Sequence, residues 1–303
     1  MKNMFMRGLV EMKKSGICAI AKNEEKYILE WISHHILAGF DSIVIYDNES
    51  DTSLSEIISK LSHDIDIKVI PWPSIEGISP QLSAYNDYVS KFSDIVDYTA
   101  FIDIDEFIFI NDNSSVNEFI KKFDASSTAI AMNQLCFGSS GKEKYEKDLV
   151  MKRFNHSSPI SFEENNYFKT LAKTSAIKNI PDCHWVETTY GDYVNSDNKK
   201  LEREHAHKGL ANNPTHNPLI LHHYILKSKE EFSIKKNRGG GVSSTLQGRL
   251  SKYDENAFSS RDAAYKTRYD IPNEHTIKVI ETMKLIARKD TAKEFFSNYY
   301  DFI

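Results

Sequence analysis

Asp103 and Asp105 stand two residues apart inside the apolar run 99–108, TAFIDIDEFI. On an extended strand, side chains two apart share a face, so the spacing predicts both carboxylates on one side. Such a pair repels itself unless a cation joins it, and oxygen donors of this kind suit Mg²⁺ or Mn²⁺. The rival reading is a solvated acidic pair at a strand end; the apolar flanks Phe101, Ile102, Phe107 and Ile108 favour the metal. The same alternation turns Glu106 to the opposite face and gives it a structural role. His222 and His223 close the run Leu219, Ile220, Leu221. Neighbouring strand side chains face opposite sides, so one imidazole at most joins a given site. Beside two aspartates it makes a reasonable Mn²⁺ donor set. The histidines between His156 and His223 lack the spacing of a HExxH or C₂H₂ site, which argues against zinc.

These groups need elements to hold them. Residues 16–21 (GICAIA) read as a buried strand running into Lys22, Asn23 and Glu24. Residues 27–37 follow at helical spacing, with Gly39 as the stop. Residues 42–46 read as a strand ending at Asp47 and Asn48, 52–61 as a helix, and 65–70 as a strand. Ser79 and Pro80 are a cap and a first-turn proline for a helix reaching Phe92, before the strand 99–108. This alternation predicts an α/β fold with a mainly parallel sheet and helices on both faces. Ligands of such sheets sit beyond the carboxyl ends of the strands. Polar residues gather there three times: at Lys22 to Glu24, at Asp47 and Asn48, and at Asp103 and Asp105. The middle, 111–225, reads as β-rich, with strands at 128–132, 149–154, 168–177 and 218–226 and a surface loop at 192–204. Beyond it come a helix at 229–236, a glycine-rich break at 238–241, a helix at 274–288 and an aromatic tail at 295–303.

Composition narrows the function classes. The 303 residues carry 38 Lys and Arg against 43 Asp and Glu, a net charge of −5, which excludes a generally basic nucleic-acid binder. With 40% hydrophobic and 27% charged residues the chain can bury a core. Cys18, Cys136 and Cys183 are too few and too scattered for a disulfide framework, so a reducing, cytoplasmic setting is expected. No apolar run reaches the ~18 residues of a membrane span. Residues 1–14, with Lys2, Arg7, Lys13 and Lys14, read as an amphipathic lead-in that leaves peripheral membrane contact open.

Several segments, in order, resemble a known family. They are the start Cys18 to Glu25 (CAIAKNEE), Tyr46 to Thr52 (YDNESDT), Gln81 with its helix, Phe101 to Phe107 (FIDIDEF), and Phe137 to Gly141 (FGSSG). Arg153 and Phe154, Lys169 and Thr170, His184, His223 and Tyr224, Lys227 to Phe232, and Lys236 to Gly239 continue the series. Over residues 16–240 the chain resembles the nucleotide-sugar glycosyltransferases of the family 2-like and family 92 type, whose catalytic domain has the GT-A fold. The resemblance implies that Lys22, Asn23 and Glu24 grip base and ribose, and that Asp47 and Asn48 also meet the nucleotide. It brings Gln81 to the nucleotide or sugar, and makes Asp103, Asp105 and His223 the ligands of Mn²⁺ or Mg²⁺ on the diphosphate. Lys227 and Arg238 would neutralise the leaving diphosphate. Phe137, Gly138 and Ser139 would line the sugar or acceptor pocket, together with Lys169 and His184. The chain departs from the pattern at Lys173 and Thr174, where Arg-Pro is common, and at Trp185, Val186 and Glu187, which lack the usual proline.

The implied reaction is inverting transfer of a hexose, with UDP-hexose the leading donor, to a hydroxyl of a glycan or glycolipid. The base is not identified by spacing. Asp182 is the first choice, ahead of Glu187, Glu163 and Glu164. Two rivals differ in kind: a haloacid-dehalogenase-type phosphohydrolase with Asp103 as nucleophile, and a carbohydrate-binding protein without turnover. The expected organisation is a lead-in at 1–14, a GT-A domain at 15–235 and a helical extension at 236–303, with the oligomeric state open.

Overall fold

The computed structural model describes residues 14–204, 208–238 and 254–303, excepting the side chains of 237 and 238. β1 (Ser15–Ala21) is an almost wholly buried strand. It runs parallel to β2 (Ser42–Asp47), which in turn runs parallel to β3 (Asp66–Pro71). Between them lie α1 (Ile28–Leu37) and α2 (Leu54–Ser59), the latter capped by the Ser53 side chain, which accepts from Glu56 N. α1 stops where expected. Gly39 has φ +91°, and a Cβ there would stand 2.8 Å from Ser115 Cβ, so only glycine fits the turn. α3 (Pro80–Phe92) also starts as expected, with Ser79 as cap and Pro80 in the first turn.

The two faces of β1 show why helices are needed on both sides. Ile17, Ala19 and Ala21 pack into one core with Leu29, Trp31 and Ile32 of α1. Cys18, between them, packs into the other with Ala84, Tyr85 and Tyr88 of α3.

The run 99–108 is not one strand. β4 (Tyr98–Phe101) ends at Phe101, residues 102–105 form a tight turn, and β5 (Glu106–Ile110) leaves in a new direction. α4 (Val116–Ile120) follows, and then the fully buried ten-residue β6 (Ser127–Cys136). The expected strand at 149–154 is instead the short helix α5 (Val150–Arg153), whose first amides donate to the buried Glu30 carboxylate. β7 (His156–Ser157) leads to β8 (Phe168–Lys173), β9 (Ile177–Asn179) and β10 (Glu187–Thr188). The expected loop at 192–204 contributes a strand, β11 (Asp192–Asn195), parallel to β6. β12 (Leu219–His223) and α6 (Lys229–Arg238) come next. β13 (Thr267–Arg268) pairs with β7.

The nine-stranded sheet has the order β3-β2-β1-β4-β8-β6-β12-β5, with β11 also on β6. It is mixed and mainly parallel, the fold class that the strand–helix alternation and the GT-A resemblance lead one to expect. β6 bends it. Ala129 to Asn133 pair with β8, and Gln134 to Cys136 pair with β12. β12 pairs antiparallel with β5, setting His223 opposite Glu106. The curl therefore carries β5 and β12 back to the end of β4.

The C-terminal helices Asn273–Ile286 and Asp290–Phe296 add Val279, Met283 and Phe296 to the core that contains α1. The aromatic tail docks on the body of the protein: Tyr300 is buried and its hydroxyl donates to the Lys26 carbonyl at 2.8 Å. Among the described residues no helix is long and apolar enough to cross a membrane.

Candidate active site

Asp103 and Asp105 occupy the turn between β4 and β5, so strand alternation does not set which way they face. Glu106, expected to point away, faces the same site. Its Oε2 accepts from Asp103 N at 2.9 Å and lies 3.8 Å from Lys169 Nζ. The correction has a local cause: Glu106 N bonds back to the Asp103 carbonyl at 3.1 Å, and the closed turn reverses the facing of the residue that follows.

Around Asp103, Oδ1 accepts from Gln81 Nε2 at 2.6 Å and Oδ2 from Lys169 Nζ at 2.9 Å. Gln81 is thus delivered by the first turn of α3, and its Nε2 also lies 3.0 Å from the Tyr85 hydroxyl. Around Asp105, Oδ2 is the partner of Lys235 from α6 and stands 3.7 Å from His223 Nε2. His223 Nδ1 donates to Gln134 Oε1 at 2.9 Å, which aims Nε2 at the carboxylate, the usual way a ligating imidazole is oriented.

The site is a buried charge network. Burial alone would raise Asp105, but Lys235, His223 and Lys227 outweigh it and hold the carboxyl well below the usual range. Burial would lower Lys169 and His223; Asp103 lifts the lysine and Asp105 lifts the histidine well above their ordinary values. Burial dominates at Glu106 and pushes it up to about 7, with Lys169 opposing.

Asp103, Asp105 and the Nε2 of His223 offer oxygen donors and one imidazole, a chemistry that suits Mn²⁺ or Mg²⁺; Asp105 and His223 stand 3.7 Å apart, but the ligand atoms of the three do not all lie within 4.8 Å of one another. Glu106 Oε1 is buried beside them without a hydrogen-bond partner, an acceptor that a cation would satisfy. Among the described residues the group of three whose ligand atoms do all lie within 4.8 Å of one another is Asp182, Cys183 and His184. It fits these cations poorly. Burial pushes the Cys183 thiol up to about 12, so it stays protonated, and His184 Nδ1 donates to the Phe168 carbonyl at 3.1 Å.

The other expected residues divide. Lys22 reaches Glu49 at 3.7 Å at the sheet edge. Asn23, with φ +54°, ties this edge to the next loop through Ser50 Oγ and Asp51. Asp47 accepts from Ser50 N and Leu54 N, and Asn48 donates to the Trp72 carbonyl at 2.8 Å. The Glu24 carbonyl accepts from Tyr27 N and Ile28 N at the start of α1. Lys227, buried and with φ +56°, sets its ammonium 3.8 Å from the centre of the Tyr27 ring.

Phe137 is corrected. Its side chain is fully buried and stacks on Tyr224 with ring centres 4.7 Å apart, which makes it a packing residue. At Gly138 a Cβ would approach Tyr265 Cβ to 3.0 Å, a tight contact. Ser139 is buried, and its N donates to Asp262 at 2.8 Å. This loop is clamped by the helix Glu255–Ala264. His184 is lowered to about 4 by burial and by Lys169. Asp182 Oδ1 accepts from His184 N at 2.8 Å, while Glu187 pairs with Lys178 at 3.1 Å. Glu164 is held by Arg261 and the Tyr265 hydroxyl. The Arg238 side chain lies outside the described residues, as does nearly all of the lead-in.

Three site residues escaped the sequence reading. Glu106 was legible only if DIDE was read as a turn. Lys235 sat unremarked in a lysine-rich helix. Gln134 carried no signal at all, because its partner His223 is brought beside it by sheet pairing.

The chain is similar to known proteins in sequence. A profile described as glycosyltransferase family 92 matches residues 14–240. A glycosyltransferase family 92 protein of Oryza sativa subsp. japonica is 25% identical over 134 residues, which are 43% of this chain and 22% of that protein. One of Ricinus communis is 23% identical over 225 residues, which are 72% of this chain and 36% of that protein. The chain therefore spans well under half the length of these relatives. In structure it overlaps HddC from Yersinia pseudotuberculosis with a TM-score of 0.36 at 10% identity, over 61% of this chain and 91% of that one. It overlaps a glucosyl-3-phosphoglycerate synthase from Mycobacterium tuberculosis, in complex with Mn²⁺ and UDP, with a TM-score of 0.30 at 14% identity, over 55% and 58%.

Proposed function

Because the chain belongs to glycosyltransferase family 92, we propose that its acidic corner moves a hexose from a nucleotide-diphosphate sugar, with UDP the leading nucleotide, to a hydroxyl of a glycan or glycolipid, with inversion. The observation that carries this reading is the convergence of Asp103, Asp105, Glu106 and His223 with Lys169 and Lys235, beside the parallel strand ends that bear Lys22, Asn23 and Asp47. Asp103, Asp105 and His223 would hold Mn²⁺ or Mg²⁺, which when bound neutralises charge on the departing diphosphate. Gln81 and Lys169 keep Asp103 in one orientation; Gln134 does the same for His223. Lys227 adds a buried positive charge next to the Tyr27 ring, a fit for a diphosphate. A carboxylate must take the proton of the attacking hydroxyl. Asp182 is favoured over Glu187, since Glu187 is tied to Lys178 while Asp182 adjoins Cys183, which lies in the field of Lys169 and Asp103. The three free cysteines support a reducing, cytoplasmic setting.

A sugar-transfer assay with UDP-hexoses and Mn²⁺ tests the reading. Asp105→Asn is expected to lose at least about a hundredfold in kcat/KM. Asp182→Asn should lower kcat by about 10²–10⁴ while UDP binding persists. Transfer that survives Asp105→Asn, or phosphate release without transfer, would sink the proposal.

A further inference from the structure

The two aspartates of the corner are neutralised by lysines of different kinds. Lys169 Nζ is 2.9 Å from Asp103 Oδ2 and 3.8 Å from Glu106 Oε2, with a side chain only 2% exposed, so it is a fixed part of the scaffold. Lys235 reaches Asp105 Oδ2 from α6, with a side chain 18% exposed. The first turn of α6 is locked by Glu231, which forms a buried two-bond pair with Arg153 and accepts from Ser228 Oγ at 2.6 Å. Lys235 sits a turn beyond that anchor, next to Ile234, which is 49% exposed. It also lines a cavity of about 180 Å³ shared with Asn23, Tyr27 and Lys227, which gives its four-carbon stem somewhere to swing.

The oxygen that Lys235 holds is the one that His223 Nε2 faces at 3.7 Å. A dication shared by His223 and Asp105 would need that same Oδ2. An ammonium and a dication cannot both lie against one carboxylate oxygen without strong repulsion. We infer that Lys235 is the resident counter-ion of Asp105 and that a divalent cation must displace it to bind. This rests on the metal-assisted reading above and adds a regulation of the same site: Lys235 sets how much cation the site requires.

The test is Mn²⁺ binding to the full chain, read from the electron paramagnetic resonance of free Mn²⁺ at fixed pH and ionic strength, without donor. Lys235→Gln should bind Mn²⁺ at least about tenfold tighter than wild type, the effect of removing one charge a few ångströms away at a partly buried site. Lys235→Arg keeps the charge and should match wild type. Thermal melts by circular dichroism check that each variant is folded. Equal or weaker binding by Lys235→Gln overturns the inference. If Asp105→Asn abolishes binding but Lys235→Gln leaves it unmoved, only the inference falls. If Mn²⁺ binds neither wild type nor Lys235→Gln, the metal reading falls and the inference with it.

Discussion

Arg153 and Glu231 show how much of the site rests on residues outside the acidic turn. Their side chains are 2% and 1% exposed and make two bonds of 2.8 and 3.0 Å, and Glu231 also accepts from the Tyr27 hydroxyl at 2.8 Å. Removing one partner leaves a buried charge uncompensated, at a cost of about 3–5 kcal/mol. Arg153→Met is therefore expected to lose that much in urea unfolding; a loss under about 1 kcal/mol would mean that water or another cation replaces the guanidinium. The pair also has a pH signature. Burial alone would raise Glu231, but Arg153 outweighs it and brings the carboxyl from 4.5 down to about 2. A depressed acid stabilises the fold above its unfolded value, and that stability drains as pH falls from about 4.5 towards 2. It amounts to about 3 kcal/mol at neutral pH.

At the scale of elements, α1 against β5 is the contact that holds the acidic turn in place. Trp31 Nε1 donates to the Glu106 carbonyl at 2.9 Å. One turn on, His35 Nδ1 donates to the Trp31 carbonyl at 2.8 Å while its Nε2 accepts from Ile108 N at 3.4 Å. That second bond exists only for a neutral ring, and burial lowers His35 from 6.5 to about 3. The unfolded chain takes up a proton below about 6.5 and the native ring does not, so stability falls as pH drops, by about 1.4 kcal/mol per pH unit, until the native ring protonates. NMR titration should find His35 neutral down to pH ~4; a midpoint near 6 would show that the α1–β5 contact opens. The start of α3 was readable because its cap is local: Ser79 accepts from Leu82 N, three residues on. The break at residues 102–105 was not, because an apolar run with two aspartates reads alike as one long strand or as two joined by a turn. Pairing of β5 with β12, over a hundred residues away in sequence, makes it a turn.

At the scale of the whole molecule, the C-terminal helices belong to the same core as α1. Phe296 and Tyr300 are buried there with Met283 and Trp31. Phe296→Ala is expected to cost about 3–5 kcal/mol in chemical denaturation. Removal of residues 289–303 should expose this face to a dye such as ANS and lower the melting temperature. A truncated chain that melts as the full one does would show that the tail adds no stability.

Strand–helix alternation, the Ser79 cap, the aspartate pair and the family follow from the sequence alone, because each is written within a few neighbouring residues or in the order of short motifs. Tertiary structure decided what those signals could not. It turned Glu106 inward, buried Phe137 against Tyr224, set Gln134 behind His223, and placed Lys235 on Asp105. The last three depend on the change of partners along β6, which brings β12 and then α6 to the end of β4. Local periodicity states which face of a strand is buried. Which distant side chain meets that face is settled only when the sheet closes.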